Sequence, residues 1–78
     1  MIEHLITEIV LGLVDDRDSV KVTKDDTAEQ GVEIYRINVS PDDMGRVIGK
    51  QGRIAKAIRT VVRSVASRTG EKAMVEID

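Results

Sequence analysis

A four-residue turn in the second half of the chain constrains the fold more than any other feature. It consists of Gly49-Lys50-Gln51-Gly52 and lies between two segments with helical patterns. Glycines on both sides of two polar residues permit a tight turn with positive φ angles, and they leave room for another backbone to approach. The helix that follows offers free N–H groups, which favour phosphate oxygens. The turn therefore predicts a helix–turn–helix unit that can hold a sugar-phosphate chain.

The segments before this unit predict one helix and two strands. Residues 2–14 carry apolar side chains at helical spacing, and we expect six of them to form the core face of a helix: Ile2, Leu5, Ile6, Ile9, Val10 and Leu13. The acidic run at residues 15–18 predicts a sharp helix end. Ser19–Thr23 alternates as a strand, residues 24–31 predict a hairpin loop, and Val32–Val39 predicts a second strand. In this second strand the alternation of apolar residues shifts by one position in the middle, which predicts a bulge or burial on both faces.

The rest of the chain predicts two helices and a last strand. Ser40 can cap a helix whose first position suits Pro41, and Gly49 limits that helix to a short one. A third helix is expected from Arg53 to Arg68, with five apolar residues in the core: Ile54, Ile58, Val61, Val62 and Val65. Residues 73–77 predict the last strand. The order α-β-β-α-α-β indicates an α+β fold, and we expect residues 1–78 to form a single domain.

Charge is distributed unevenly along the chain. The net charge is −2, but residues 1–43 carry four Lys or Arg and eleven acids, whereas residues 44–78 carry eight Lys or Arg and three acids. The third predicted helix has no acid between Arg53 and Arg68, and it places Lys56, Arg59 and Arg63 on one side. Because like charges repel, an anionic ligand would stabilise this face. The alternative is a solvated basic face that keeps the domain soluble.

Several classes of site are excluded by composition. Tyr35 is the only aromatic residue, which argues against binding of bases by stacking on an aromatic sheet. The chain has no cysteine, and the lone His4 is expected on a helix surface, so no metal or cofactor site is predicted. No nucleophile–base pair can be assembled, and we predict that the protein is not an enzyme.

Two other motifs that bind phosphate or DNA share features with this region. A nucleotide-binding P-loop needs four residues between its glycines and Ser or Thr after its lysine, whereas three residues separate Gly45 from Gly49 and Gln51 follows Lys50. A DNA-binding helix-turn-helix is harder to exclude by element order. Its turn, however, does not require the glycine pair, and residues 53–57 offer few side chains that could contact bases.

The stretch Val47-Ile48-Gly49-Lys50-Gln51-Gly52-Arg53-Ile54 closely resembles the I-G-x-x-G signature of KH domains. The element order is similar to that of the type II, prokaryotic form, which implies a three-stranded mixed sheet with three helices packed on one face. The compact length and the segment Pro41–Arg46 resemble the stand-alone bacterial KH proteins of the KhpA family.

This resemblance implies a non-catalytic binder of single-stranded RNA that holds about four nucleotides. Carried over to this sequence, the backbone clamp would be Gly49, Lys50, Gln51 and Gly52. One groove wall would include Met44, Gly45, Val47 and Ile48, and the groove would be bordered by Arg53, Ala55 and Lys56, with Arg46 and Arg59 nearby. The strand that ends in Ile37-Asn38-Val39 would form the opposite wall.

The resemblance also implies partners and a cellular role. Proteins of this family pair with themselves and with a larger KH-domain protein, and they are associated with RNA chaperoning, RNA regulation, cell elongation and cell division. A cytoplasmic location is expected, without a membrane or a small-molecule substrate. The alternative is a protein-interaction module that chiefly dimerises. Leu11 lies off the core stripe of the first helix, and Ala55, Ala57 and Ala66 leave the third helix smooth enough for close packing.

Overall fold

The computed structural model describes residues 2–25 and 31–77. In these ranges the chain forms α1 (Ile2–Leu11), β1 (Lys21–Asp25), β2 (Val32–Asn38), α2 (Met44–Ile48), α3 (Arg53–Arg68) and β3 (Lys72–Ile77). Short 3-10 turns precede β1, α2 and α3. The predicted order of elements and the predicted bounds of the third helix are confirmed.

The sheet is mixed, with the strand order β1-β2-β3. Strands β1 and β2 are antiparallel, with Lys21 opposite Asn38, and β2 and β3 are parallel, with Val32 opposite Lys72. Both ladders continue without a bulge along β2. Ile34 is half-buried on the face opposite Tyr35. Of the two explanations for the phase slip, burial on both faces is therefore correct.

One face of the sheet packs against all three helices. The buried core contains residues from every helix and from β2 and β3: Ile2, Ile6, Val10, Val14, Tyr35, Ile37, Val47, Ile58, Val62, Ala66 and Val75. Tyr35 is the one aromatic residue in it, and its hydroxyl donates a hydrogen bond to Glu33 Oε2 at 2.7 Å. That bond satisfies the polar end of a side chain whose ring is covered.

The structure corrects two predicted boundaries near the start of the chain. Helix α1 ends at Leu11 rather than residue 14, because the chain turns at Gly12, whose N–H donates to the carbonyls of Glu8 and Ile9. Strand β1 begins at Lys21 rather than Ser19, because the Ser19 hydroxyl donates to Asp16 Oδ2 at 2.6 Å and holds a 3-10 turn.

The predicted hairpin loop over residues 24–31 is corrected at its start, since β1 continues to Asp25. Residues 26–30 of that loop lie outside the described residues. Strand β2 ends at Asn38 and β3 begins at Lys72, each one residue earlier than predicted. Differences of this size at the ends of elements are expected, because terminal residues are held by few hydrogen bonds.

The predicted core of the third helix contains one error. Ile58 and Val62 are buried, but Val61 is 42% exposed. The core side of α3 also uses Ala55 and Ala66, which the prediction had not placed there. Small residues bring α3 close to the sheet, so the buried stripe is rotated away from Val61.

Candidate nucleic-acid interface

The turn between α2 and α3 has an unusual backbone. Gly49 adopts φ 77° and ψ 171°, and Gly52 adopts φ 74° and ψ 15°. Between them Gln51 lies in the left-handed region at φ 58° and ψ 25°, and it is the one non-glycine residue with positive φ in the described ranges. Lys50 and Gln51 are exposed at the tip. An L-residue is held in this conformation at a cost of about 1–2 kcal/mol, so Gln51 is held there by the surrounding turn rather than by its own local preference.

The two glycines are required for different reasons. A Cβ atom on Gly49 would lie 2.3 Å from Ile54 Cγ1 and 2.9 Å from the Ile54 backbone nitrogen. A Cβ atom on Gly52 would meet nothing within 4 Å. Gly49 therefore allows the turn to close against α3. Gly52 leaves an open surface at the helix N-terminus, where another backbone can approach.

Basic side chains extend from this turn along one side of α3. Lys50, Arg53, Lys56, Arg59 and Arg63 are exposed, and in residues 2–25 and 31–77 none of them forms an ion pair. No side chain caps the N-terminus of α3, so the partial positive charge of its first N–H groups faces the turn. The sequence predicted this face, and the structure places its residues on one continuous surface.

The residues predicted on the α2 side of the groove differ in their exposure. Gly45 is exposed, Met44 is half-buried and Ile48 is 37% exposed. Val47 is fully buried and Ala55 is 4% exposed, so their side chains belong to the core beneath the surface. Because a ligand on this surface would touch Ile48 before either of them, the two buried residues support the groove from below.

Arg46 is engaged with acidic residues. Its Nη2 lies 3.0 Å from Asp15 Oδ2, and its Nε lies 3.7 Å from Asp43 Oδ1. Those contacts direct Arg46 toward the turn between α1 and β1 and away from the basic side of α3. Arg46 is exposed and its charge already has carboxylate partners, and its place among the groove residues stays a prediction.

Asp43 is a structural residue that the sequence did not reveal. It is 2% exposed, and its carboxylate accepts the backbone N–H groups of Asp15 at 3.2 Å and Asp16 at 3.0 Å. These bonds, with a smaller contribution from Arg46, hold the pKa of the Asp43 carboxyl below its usual value. Ser40 acts as a cap, since its Oγ accepts the N–H of Asp42, but it caps the 3-10 turn Pro41–Asp43, and α2 begins at Met44 rather than at Pro41 as predicted. Together they fix the start of the segment that leads into the turn.

The strand beside α3 is β3, not the end of β2. Arg59 Nε donates a hydrogen bond to the Val75 carbonyl at 3.3 Å. A cleft of about 70 Å³ lies between the two elements and is lined by Arg59, Arg63, Ala73, Met74 and Val75. The prediction that residues 37–39 form the opposite wall is therefore wrong: β2 is the central strand and Ile37 is fully buried. The cleft beside α3 is lined by residues of the edge strand β3, whereas Ile37 contributes to the core.

Other types of site find no support in the described residues. In residues 2–25 and 31–77 no group of three or more His, Cys, Asp or Glu side chains is placed to hold a metal ion. His4 lies on the surface of α1, 4.0 Å from Glu8, as expected. Within the same ranges, no helix combines the length and the apolar character needed to cross a bilayer.

A mixed three-stranded sheet, three helices on one of its faces and a G-x-x-G turn at the start of the third helix define a type II KH domain. The family model described as "KhpA/KhpB, KH domain" matches residues 3–77. The chain belongs to this family of KhpA/KhpB KH domains.

Individual relatives agree with this assignment. The chain is 51% identical to "RNA-binding protein KhpA" of Listeria monocytogenes EGD-e over 96% of both chains. It is 48% identical to the protein of the same name from Clostridium acetobutylicum, over 96% of this chain and 97% of that one. The structure is similar to one described as "Crystal structure of Era in complex with MgGDPNP and nucleotides 1506-1542 of 16S ribosomal RNA", with a TM-score of 0.61 and 16% identity. That match covers 97% of this chain and 28% of the Era chain, and it shows the fold alone.

Proposed function

We propose that this chain is a non-catalytic single-stranded RNA-binding protein whose Gly49–Gly52 turn clamps the sugar-phosphate backbone. One observation carries the proposal: the open backbone at Gly52 lies between an exposed Lys50 and the uncapped N-terminus of an acid-free helix. Relatives named RNA-binding protein KhpA support it.

The clamp would act through charge and shape. A phosphate at Gly52 would receive N–H groups from the first turn of α3 and the charges of Lys50 and Arg53. The next nucleotides would lie between Ile48 and Gly45 on one side and the edge strand β3 on the other, with Lys56 and Arg59 beside them. Most of these contacts would be made to the backbone, which gives little base preference. Weak binding with little base preference allows RNA to exchange, which suits an RNA chaperone. The family resemblance implies such a role in bacterial RNA regulation, cell elongation and cell division, with the protein in the cytoplasm.

Titration of a short fluorescent single-stranded RNA tests this function. We expect weak binding at low salt, with the logarithm of the association constant falling linearly as the logarithm of salt rises, by about 0.7 for each phosphate contacted. A duplex of the same composition is the control and should bind more weakly, because its bases cannot enter the groove. Affinity that is insensitive to salt, or stronger for the duplex, would contradict the proposal.

The alternative function, dimerisation, is favoured by a second surface. An apolar groove of about 260 Å³ lies between α1 and α3, lined by Ile9, Leu13, Arg53, Ile54, Ala57, Ile58 and Val61. Leu13 follows the end of α1 and is half-buried, and Val61 of α3 remains exposed on the groove. An apolar groove with an exposed valine on it is typical of an interface. We propose that a second copy of the chain, or the KH domain of a larger partner, covers this groove. RNA affinity would then rise through the added contacts of two domains.

Replacing Val61 by Asp tests this pairing. A charge in the groove should raise the dimer dissociation constant by at least about tenfold, because it would be buried without a partner. Mass measurement by light scattering or native mass spectrometry at micromolar concentration reports the change. Thr60→Asp is the control, since Thr60 is exposed on the adjacent position and does not line the groove. A wild-type chain that is monomeric at these concentrations and still binds RNA would rule out dimerisation as the main function.

A further inference from the structure

The groove between α3 and β3 continues past the region that the Gly49–Gly52 turn can reach. Beyond the cleft at Arg59 lies a second and larger cleft of about 370 Å³, toward the C-terminal end of α3. The two clefts share Arg63, Ala73 and Met74. Arg59, Arg63 and Ser67 are spaced one turn apart, so the helix side of the groove advances by about 6 Å at each step. We call this larger space the distal cleft.

The distal cleft combines an apolar wall with a basic rim. Met74 is 55% exposed and Val32 is half-buried, and both line the cleft. Its rim carries Arg63 and Lys72, which are exposed and form no ion pair in the part of the chain that the structure describes. Glu71 is the acidic residue in the lining. The volume lies in the range of small-ligand pockets, above about 300 Å³.

These features match the two parts of a nucleotide. The apolar wall can contact the flat face of a base, and the basic rim can bind its phosphate. An acidic peptide would bind the rim but would not cover the apolar surface of Met74 and Val32. We infer that the distal cleft is an additional nucleotide site, which takes the next residue of the same RNA strand after those held at the clamp. The footprint of the domain would then exceed the four nucleotides that the clamp is expected to hold. This inference rests on the proposed function.

RNA length measures the added site directly. Binding of homopolymeric RNAs of four, five and six nucleotides is compared between wild type and Lys72→Glu at one salt concentration. For wild type we expect the affinity to rise by at least about fivefold from the shortest to the longest RNA, beyond the factor given by the number of possible registers. Lys72→Glu should lose this gain and keep most of its affinity for the four-nucleotide RNA. Met74→Ala, which changes no charge, should also reduce the gain.

Arg68→Glu is the matched control for charge. Arg68 is exposed at the end of α3, carries the same charge as Lys72 and does not line the cleft. It should retain the length-dependent gain. The inference is overturned if wild type shows no gain, or if Lys72→Glu and Met74→Ala keep it in full. It is also overturned if both variants weaken binding equally at every length, since the cleft would then belong to the four-nucleotide site. Absence of binding at all lengths by folded wild type would instead refute the proposed function itself.

Discussion

Replacing Lys50 and Gln51 together by Asp is expected to abolish binding of short single-stranded RNA while leaving the fold intact. Both side chains are exposed at the tip of the turn. The double change replaces one positive charge and one neutral amide by two negative charges, at the point where a phosphate would approach the N-terminus of α3. Repulsion there acts on the tightest contact of the clamp, so we expect at least about a hundredfold loss of affinity.

The same change in charge on the far side of the domain is the control. Lys21 and Thr23 are exposed on β1, the edge strand that lies away from α3. Lys21→Asp with Thr23→Asp therefore alters the net charge equally without touching the turn, and it should weaken binding only slightly. Circular dichroism confirms folding of both variants, and fluorescence anisotropy reports affinity at low salt. If the Lys50/Gln51 variant bound RNA as well as wild type, the assignment of the clamp would be wrong.

Gly49→Ala is expected to cause the largest loss of stability among substitutions in the turn. The new Cβ atom would lie 2.3 Å from Ile54 Cγ1, and the backbone at φ 77° and ψ 171° occupies a region that is essentially restricted to glycine. Steric overlap and backbone strain together should lower the free energy of unfolding by ~3 kcal/mol. The α2–α3 unit would have to open before the side chain could be accommodated.

Gly52→Ala is the matched comparison within the same motif. Its φ of 74° is unfavourable for alanine, but the new Cβ atom would enter open space. The free energy of unfolding should fall by only ~1 kcal/mol. The methyl group would stand where a phosphate approaches. The loss in the free energy of RNA binding should therefore exceed the loss in the free energy of unfolding. Urea unfolding and RNA titration of both variants check this separation. Equal losses of stability would show that the Gly49–Ile54 contact does not hold the turn closed.

Much of the fold follows from local patterns in the sequence. The helical spacing in α1 and α3, the Ser40-Pro41 helix start and the glycine pair each act over a few residues, and each predicted its element. Local patterns did not predict the contacts between residues that are distant in sequence. The turn after α1 is one example. Asp43, distant in sequence, accepts the N–H groups of Asp15 and Asp16 and holds a conformation that no local pattern predicted.

The candidate site divides in the same way. The sequence by itself determined the turn and the acid-free basic face of α3, because glycine positions and helical spacing are local properties. Only the tertiary structure decided which surfaces accompany them. It showed that β3 lies beside α3, that Val47 and Ala55 lie beneath the surface, and that Val61 remains exposed. The physical reason is that strand order and the rotation of a helix against a sheet depend on packing between distant residues, which a linear pattern does not specify.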